Sequence, residues 1–325
     1  MISYSKAARG LSVARATTPA GALAHLAGGT AVPTAAAPLS RRAAVRLGAG
    51  GVAALAARAP ATAAQGAPAA RSGEKATFVL VPGQWTGAFV WHTVAPILRA
   101  ARHNVYAVTC TGLGERVHLA SPAIDLDTFV TDVVNVLVYE DLRDVVLVGH
   151  SFAGMIIPGV VERAPERLAR VVYFDADVPN DGQNFYDVLT PEMRDAEILA
   201  DVMGGVEADM PGFRPVAPGV VEWLRGSIKD PTEADWFIAK LVPHPELSNL
   251  QRIRLGNPDA AALPKAFILC TADKNLTADP QTDSLVLAAE RARSDPNWRV
   301  IEMDDTHMGN LNDPQGTAQA LMSLL

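Results

Sequence analysis

The sequence predicts a doubly wound α/β domain with a mostly parallel sheet of about six strands and a helical lid insertion. Short apolar runs that alternate with helical patterns predict the sheet, and one long interval without such a run predicts the insertion. The chain has 325 residues, of which 49% are hydrophobic and 19% are charged. This composition is that of a globular protein with a large core, so disorder throughout and collagen-like repeats are excluded.

Residues 1–64 are predicted to be a largely disordered leader that precedes the fold. They contain seven Lys or Arg and no Asp or Glu, and the pair Arg41-Arg42 precedes the uncharged run 47–57. That run is too short to span a membrane, which needs about 20 residues, so no stable membrane anchor is expected. With the A-x-A pattern at 61–63, the segment resembles a twin-arginine signal and predicts a periplasmic or secreted protein. The alternative is a spurious or low-complexity leader on a cytoplasmic protein.

The rest of the chain is acidic, which argues against nucleic acid as a partner. Seven of the 28 basic residues lie in the leader, whereas all 35 acidic residues lie beyond it. An acidic surface repels a phosphate backbone. Only two cysteines are present, and no histidines or carboxylates cluster at metal-ligand spacing, so neither a metal nor another cofactor is expected.

Six continuous apolar runs predict strands that are buried on both faces, as in a parallel sheet covered by helices. The runs span 77–81, 105–108, 145–148, 170–174, 266–269 and 298–301. A helix is predicted after the capping candidate Asp125, because apolar residues follow it at helical spacing. Residues 283–293 and 314–324 are predicted to be helical as well. Alternating strands and helices predict an α/β domain.

The interval between the fourth and fifth strands is predicted to be the lid. Residues 73–179 and 263–325 would form the α/β core, and residues 180–262 would form an insertion. A structureless loop of that length is improbable in a compact domain, so the insertion is expected to be mostly helical. Because it leaves the fourth strand at its carboxyl end, it should cover that edge of the sheet, where ligands of open α/β sheets bind.

The strongest functional signal is a serine directly after the third strand. Gly149-His150-Ser151-Phe152-Ala153 matches G-x-S-x-G except at Ala153, where glycine is usual. A serine on a sharp turn from strand to helix projects its hydroxyl from the sheet, and small neighbours let the two backbones approach each other. Ser151 is therefore predicted to be a catalytic nucleophile.

A serine nucleophile needs a histidine base and a carboxylate that orients it, in the chain order Ser, acid, His for this architecture. Only His244 and His307 follow Ser151, and His307 is favoured because it comes shortly after the last strand. Asp273, after the fifth strand, is the favoured acid. Asp175 and Asp177, after the fourth strand, are the alternatives.

Two backbone N–H groups are needed to stabilise an oxyanion. One is expected from Phe152, the residue after the nucleophile. The other is expected from Gln84, in the loop that follows the first strand, because Gly83 allows a close approach and Pro82 has no N–H.

Residues 76–325 resemble the α/β-hydrolase fold, and within it the small esterases grouped with plant methyl-ester esterases and hydroxynitrile lyases. The stretches that carry the resemblance are 78–83 with 85–91, 147–155 and 306–308. The resemblance implies a triad of Ser151, Asp273 and His307, with Gln84 and Phe152 shaping the oxyanion hole.

Two positions bear on the chemistry within that group. The family usually has histidine where Pro82 stands. Plant hydroxynitrile lyases have lysine directly after the catalytic histidine, whereas this chain has Met308, which favours ester hydrolysis.

Three further side chains are predicted to line the substrate pocket: Trp85 beside the oxyanion loop, Arg116 beyond a glycine turn, and Trp223 in the lid.

Together these features predict a cofactor-independent serine hydrolase that cleaves a small to medium carboxylic ester through an acyl-enzyme. One alternative keeps the fold and changes the chemistry to that of a lyase or a cofactor-free oxygenase. The other is a non-catalytic receptor for a small molecule, against which the complete Ser, Asp and His set argues. The acyl and alcohol groups of the ester are expected to depend on the lid side chains.

Overall fold

The apolar runs form the six strands of one parallel sheet. In the computed structural model, which describes residues 75–195, 210–272 and 283–325, eight strands are present. They are β1 (Thr77–Val81), β2 (Asn104–Ala107), β3 (Val145–Ser151), β4 (Leu168–Ala176), β5 (Phe213–Arg214), β6 (His244–Pro245), β7 (Lys265–Cys270) and β8 (Trp298–Met303). All but β5 and β6 belong to the main sheet, so the predicted doubly wound fold is confirmed.

The strand order of the sheet is β2-β1-β3-β4-β7-β8, and every neighbouring pair is parallel. From β1 the chain moves first to one side, to β2, and then across to β3 on the other side. The connections thus reverse direction between β1 and β3. In open α/β sheets this switch point is where ligands bind, outside the carboxyl ends of the strands.

Twelve α-helices lie in the part of the chain that is described. They are α1 (Val94–Ala100), α2 (Leu126–Tyr139), α3 (Ala153–Arg163), α4 (Phe185–Val188), α5 (Pro191–Asp195), α6 (Pro218–Ser227), α7 (Pro231–Ile238), α8 (Glu246–Leu250), α9 (Pro258–Ala262), α10 (Ser284–Arg293), α11 (Gly309–Asn312) and α12 (Pro314–Met322). Asp125 caps α2, since its carboxylate accepts the N–H of Thr128. None of these helices is long and apolar enough to cross a membrane.

Alternate residues of each strand pack into the two layers of helices on opposite faces of the sheet. Phe78 and Leu80 of β1 join the core formed with α1 and α12. Val79 and Val81 join the core formed with α2, α3 and α10. This is the period-two alternation of a strand with both faces buried, and it explains why each strand is apolar throughout.

The interval 180–262 is built differently from the sheet. Where it is described, it contains the helices α4 to α9 and the short antiparallel pair β5–β6. Several of its apolar side chains, among them Val220, Leu224 and Phe237, join the same core as β1 and α1. The predicted leader, residues 1–64, lies outside the described residues.

Candidate active site

Ser151 is the last residue of β3 and occupies the sharp turn into α3. Its φ is 57°, in the left-handed region that costs a non-glycine residue free energy. Close packing maintains this turn: a Cβ on Gly154 would lie 1.8 Å from the carbonyl oxygen of Asp177. Ala153 is the first residue of α3 and is fully buried there, so its methyl group is accommodated.

His307 lies in the loop between β8 and α11 and is almost completely buried. Its Nδ1–H donates a hydrogen bond of 2.7 Å to Oδ2 of Asp175. Its carbonyl oxygen accepts a hydrogen bond of 2.9 Å from Nε2–H of His150. A carboxylate on Nδ1 fixes the ring's tautomer and stabilises the imidazolium form, which is the environment of a catalytic base.

Asp175 reaches His307 because β4 bulges at this point. Phe174 of β4 is opposite His150, but Ala176 is opposite Ser151, so Asp175 is an extra residue in the register. Its φ is 41°. A bulge redirects a side chain at the edge of a sheet. The carboxylate is completely buried, and its other oxygen, Oδ1, accepts the backbone N–H of Cys270 at 3.0 Å.

The residue that bonds to His307 is therefore Asp175, one of the two alternatives considered for the acid. Asp273, the favoured acid, lies outside the described residues, and its role stays a prediction. Asp177 is also buried, and burial raises the pKa of its carboxyl to about 7, although the nearby His307 lowers that pKa. Strand β4 extends beyond the apolar run 170–174 and ends at Ala176.

The loop after β1 passes directly over the nucleophile. A Cβ on Gly83 would lie 2.9 Å from Cβ of Ser151 and 3.3 Å from its Oγ. Only glycine permits this approach. Gln84, the residue after Gly83, is buried, and so is Phe152, the residue after Ser151. Both residues predicted to form the oxyanion hole are thus next to Ser151 or to the glycine that touches it.

One cavity contains Ser151 and His307 together. Its lining combines the loop after β1, the residues around the nucleophile and His307, and apolar residues of the interval 180–262: Gly83, Gln84, Trp85, Thr86, Val90, His150, Ser151, Trp223, Leu224, Phe237, Leu241, His307 and Met308. Trp85 and Trp223, two of the predicted pocket residues, are among them. The ring of Trp223 lies 5.2 Å from that of His307.

Arg116, the third predicted pocket residue, is not brought to this cavity. Its guanidinium donates to the carbonyl oxygen of Thr109 and to Oγ1 of Thr111, and it pairs with Asp132 of α2 at 3.4 Å. It lines a separate surface cleft together with Asp132 and Tyr106. Asp132 therefore holds Arg116 at that cleft, and the expected contact of Arg116 with substrate stays a prediction.

The model of the alpha/beta hydrolase family matches residues 78–320, and the chain belongs to that family.

Two relatives that match most of the chain are esterases. A carbendazim hydrolyzing esterase of Nocardioides sp. (strain SG-4G) is 30% identical over 250 residues, which cover 77% of this chain and 99% of the relative. Polyneuridine aldehyde esterase of Rauvolfia serpentina is 24% identical over 267 residues, which cover 79% and 98%. These relatives put the chain among the carboxylic ester hydrolases of the family.

A solved structure is similar over the same region. It is an extracellular alpha/beta-hydrolase from a Paenibacillus species, described as sharing structural and functional homology with tobacco salicylic acid binding protein 2. Its TM-score is 0.60 and its identity 25%, and the match covers 77% of this chain and 98% of that one.

Proposed function

We propose that the protein is a cofactor-independent serine esterase that hydrolyses small to medium, uncharged carboxylic esters through an acyl-enzyme. The observation that carries the proposal is the hydrogen bond of 2.7 Å between His307 and the buried Asp175. It lies beside a cavity that also contains Ser151 on its strained turn. A serine, a histidine and an orienting carboxylate are the groups that nucleophilic acyl transfer requires.

In the first half of the reaction, Nε2 of His307 takes the proton of Ser151 as Oγ attacks the ester carbonyl. Asp175 keeps Nδ1 protonated, so that Nε2 is the free base, and stabilises the imidazolium that forms. The negative charge on the carbonyl oxygen is received by the backbone N–H groups of Gln84 and Phe152. His307 then gives the proton to the leaving alcohol.

In the second half, water replaces the alcohol. His307 takes a proton from the water, the resulting hydroxide attacks the acyl-enzyme, and the same two N–H groups stabilise the second tetrahedral intermediate. Collapse of that intermediate returns the proton to Ser151 and releases the carboxylic acid. Apart from the ester and water, each step uses only groups of this chain.

The lining of the cavity supports an apolar, uncharged substrate. The interval 180–262 contributes Trp223, Leu224, Phe237 and Leu241, and His150 and His307 are the titratable side chains of the lining. A charged ester would enter this environment without a countercharge and would lose its hydration. We therefore assign the interval 180–262 the role of a lid that selects the acyl or alcohol group.

The lid assignment is tested by selectivity rather than by rate. We expect Trp223→Ala and Leu241→Ala to shift the preference among p-nitrophenyl esters of graded chain length by about tenfold, since a methylene in an apolar pocket contributes about 1 kcal/mol. Exposed lid variants such as Trp236→Ala serve as controls and should leave the preference unchanged. An unaltered profile in both pocket variants would refute the assignment.

The esterase proposal itself is tested with the same esters. Wild-type protein should hydrolyse them in the presence of a metal chelator, and Ser151→Ala should lower kcat by about 10³-fold or more. A serine-directed organophosphate should inactivate the wild type by modifying Ser151. If Ser151→Ala retains more than about a tenth of the activity, the mechanism is wrong.

We also propose that the protein is exported by the twin-arginine route. The support is compositional: basic residues without acidic ones in 1–64, the pair Arg41-Arg42, and the short uncharged run after it. In a host with this pathway, Arg41→Lys combined with Arg42→Lys should keep the precursor in the cytoplasm, as fractionation and immunoblotting would show. Export of the double variant at the wild-type level would contradict the route.

A further inference from the structure

The second histidine that follows Ser151 in the chain, His244, is completely buried and linked to the oxyanion loop. The backbone N–H of Trp85 donates to its Nδ1 at 3.4 Å. Its other nitrogen, Nε2, lies 2.9 Å from Oγ of Ser248, and that hydroxyl also contacts the carbonyl oxygen of Pro245 at 2.7 Å. A chain of hydrogen bonds therefore runs from the loop after β1 into α8.

The direction of each bond in this chain is fixed by chemistry. A backbone N–H can only donate, so Nδ1 of His244 accepts and the ring proton is on Nε2. That N–H donates to Oγ of Ser248, whose hydroxyl donates to the carbonyl oxygen of Pro245, which can only accept. The arrangement requires a neutral imidazole. Burial, and secondly the charge of Arg214, lower the pKa of His244 to about 3, so the ring is neutral at ordinary pH.

Trp85 needs such support because its backbone is strained. Its φ is 61°, which is unfavourable for a bulky side chain. Besides the bond to His244, its carbonyl oxygen accepts the N–H of Val242 at 3.0 Å, and its indole N–H donates to the carbonyl oxygen of Arg214 at 3.3 Å. Both backbone groups of Trp85 are thus bonded to the lid.

Gln84, the neighbour of Trp85, is held by the lid through its side chain. Its Nε2–H donates to Oδ1 of Asn249 at 2.7 Å, and its Oε1 accepts from Nη1 of Arg214 at 3.3 Å. All three residues are buried. Gln84, whose N–H is assigned to the oxyanion hole, is therefore restrained through its own side chain and through the following residue, Trp85.

We propose that His244 is a positioning residue for the oxyanion hole, and that it acts by holding Trp85 in the left-handed conformation that directs the N–H of Gln84 towards the reacting carbonyl. The inference rests on the proposed esterase function. It also means that the lid, besides shaping the pocket, supports the half of the oxyanion hole that lies outside the nucleophile turn.

Such a residue has a kinetic signature. The oxyanion forms only as the carbonyl is attacked, so misplacing its donor weakens transition-state binding and leaves ground-state binding almost unchanged. Loss of His244 should therefore lower kcat with little change in KM. A residue that merely fills the lid would alter stability or KM instead.

The test compares two substitutions at His244. Asn places an oxygen acceptor at the position of Nδ1, whereas Leu has a similar volume and no acceptor. We expect His244→Leu to lower kcat for a p-nitrophenyl ester by about 10- to 100-fold with KM within about threefold of wild type. His244→Asn should recover most of that loss.

His103 provides a matched control. Its Nδ1 also accepts a backbone N–H, that of Ala76, at 3.1 Å, but at the amino ends of the strands. His103→Leu and His103→Asn should leave kcat unchanged. Equal losses in His244→Leu and His244→Asn, or a change confined to KM, would overturn the proposal.

A second readout does not depend on turnover. Amide hydrogen exchange at Trp85 should accelerate in His244→Leu, return towards the wild-type rate in His244→Asn, and stay unchanged in the His103 variants. Exchange at Trp85 that is equal in all variants would overturn the proposal. Absence of ester hydrolysis by the wild type would instead overturn the proposed function, and the exchange rates would still test the positioning.

Ser248→Ala keeps the proposal testable if His244→Leu fails to fold. Without an acceptor for Nε2–H, the ring loses the partner that fixes its tautomer, so kcat should fall about two- to tenfold at constant KM. An unchanged kcat and unchanged exchange at Trp85 in Ser248→Ala would contradict the hydrogen-bonded chain.

Discussion

The carboxyl edge of the sheet and the interval 180–262 each contain a serine and a histidine, and the surroundings of the two pairs differ. At the sheet edge, Ser151 and His307 line one cavity, and Asp175 accepts the Nδ1–H of His307. In the interval 180–262, Oγ of Ser248 lies 2.9 Å from Nε2 of His244, but Nδ1 of His244 accepts a backbone N–H instead of facing a carboxylate.

This difference decides which pair can perform catalysis. A carboxylate favours the imidazolium, so a histidine beside it can take a proton and return it. Burial, and secondly the nearby Arg214, lower the pKa of His244 and keep the ring neutral, and its Nδ1 accepts a backbone N–H. Ser248 is also completely buried, and its hydroxyl is held by a carbonyl oxygen. A hydrogen-bonded Ser–His pair is therefore not by itself a sign of a nucleophile.

The largest expected effect is the loss of activity when Ser151 or His307 is replaced. His307→Ala should lower kcat nearly as much as Ser151→Ala, by about 10³-fold, and the double variant should be no worse, since the two groups act as a unit. Steady-state kinetics on one p-nitrophenyl ester would show this. Additive losses in the double variant would contradict the shared mechanism.

The next effect concerns the acid. Asp175→Asn should lower kcat by about 10²-fold or more with the protein folded, because the amide stabilises the wrong tautomer of His307 and cannot stabilise its charge. Asp177→Asn should be much milder. Kinetics and circular dichroism of these variants beside Asp273→Asn would identify the acid. If Asp273→Asn is the more damaging, the acid follows β7 instead of lying in β4.

A third pair of variants compares packing in the two regions. Gly154→Ala should destabilise the protein by about 3 kcal/mol, because the new methyl group would overlap the backbone of Asp177. A Cβ on Gly219, in helix α6, would meet nothing within 4 Å, so Gly219→Ala should stabilise the protein by about 0.5 kcal/mol through helix propensity. Urea unfolding would measure both. Equal effects would contradict the tight packing behind the nucleophile turn.

The last effect is a pH dependence of stability that arises from His244. Its pKa is about 3 in the folded protein and 6.5 for an unperturbed histidine, so between these values the unfolded chain binds the additional proton. This contribution to the free energy of unfolding is complete above pH 6.5 and is lost as pH falls towards 3, by at most about 1.4 kcal/mol per pH unit. His244→Asn should flatten the slope between about pH 6 and about pH 4 relative to wild type. An identical slope would show that His244 is already charged in the folded state.

Much of the site at the carboxyl ends of the strands could be predicted from the sequence, because the patterns that indicate it lie within short segments of the chain. Strands buried on both faces are continuously apolar, so the runs at 77–81 and 145–148 were sufficient to place β1 and β3. The turn at Ser151 has its small neighbours within a few residues. His307 could be selected by its position after the last strand of the sheet.

The remaining features depend on contacts between distant parts of the chain. Asp175 reaches His307 through a bulge, which exists only in the register of β4 against β3. Arg116 forms an ion pair with Asp132, which lies in the helix α2 that follows it in the chain. His244, between two prolines in the two-residue strand β6, is buried and hydrogen-bonded to Trp85 and Ser248. No spacing within a single segment encodes these partners.

The most direct test of the central claim is the mass of the enzyme during turnover. A slowly deacylated p-nitrophenyl ester, mixed with the protein and quenched in acid within the first turnover, should leave one acyl group on the peptide that contains Ser151. The same experiment with Ser151→Ala should leave none. An acyl group on Ser248 or on any other residue, or hydrolysis without a labelled Ser151, would contradict the account.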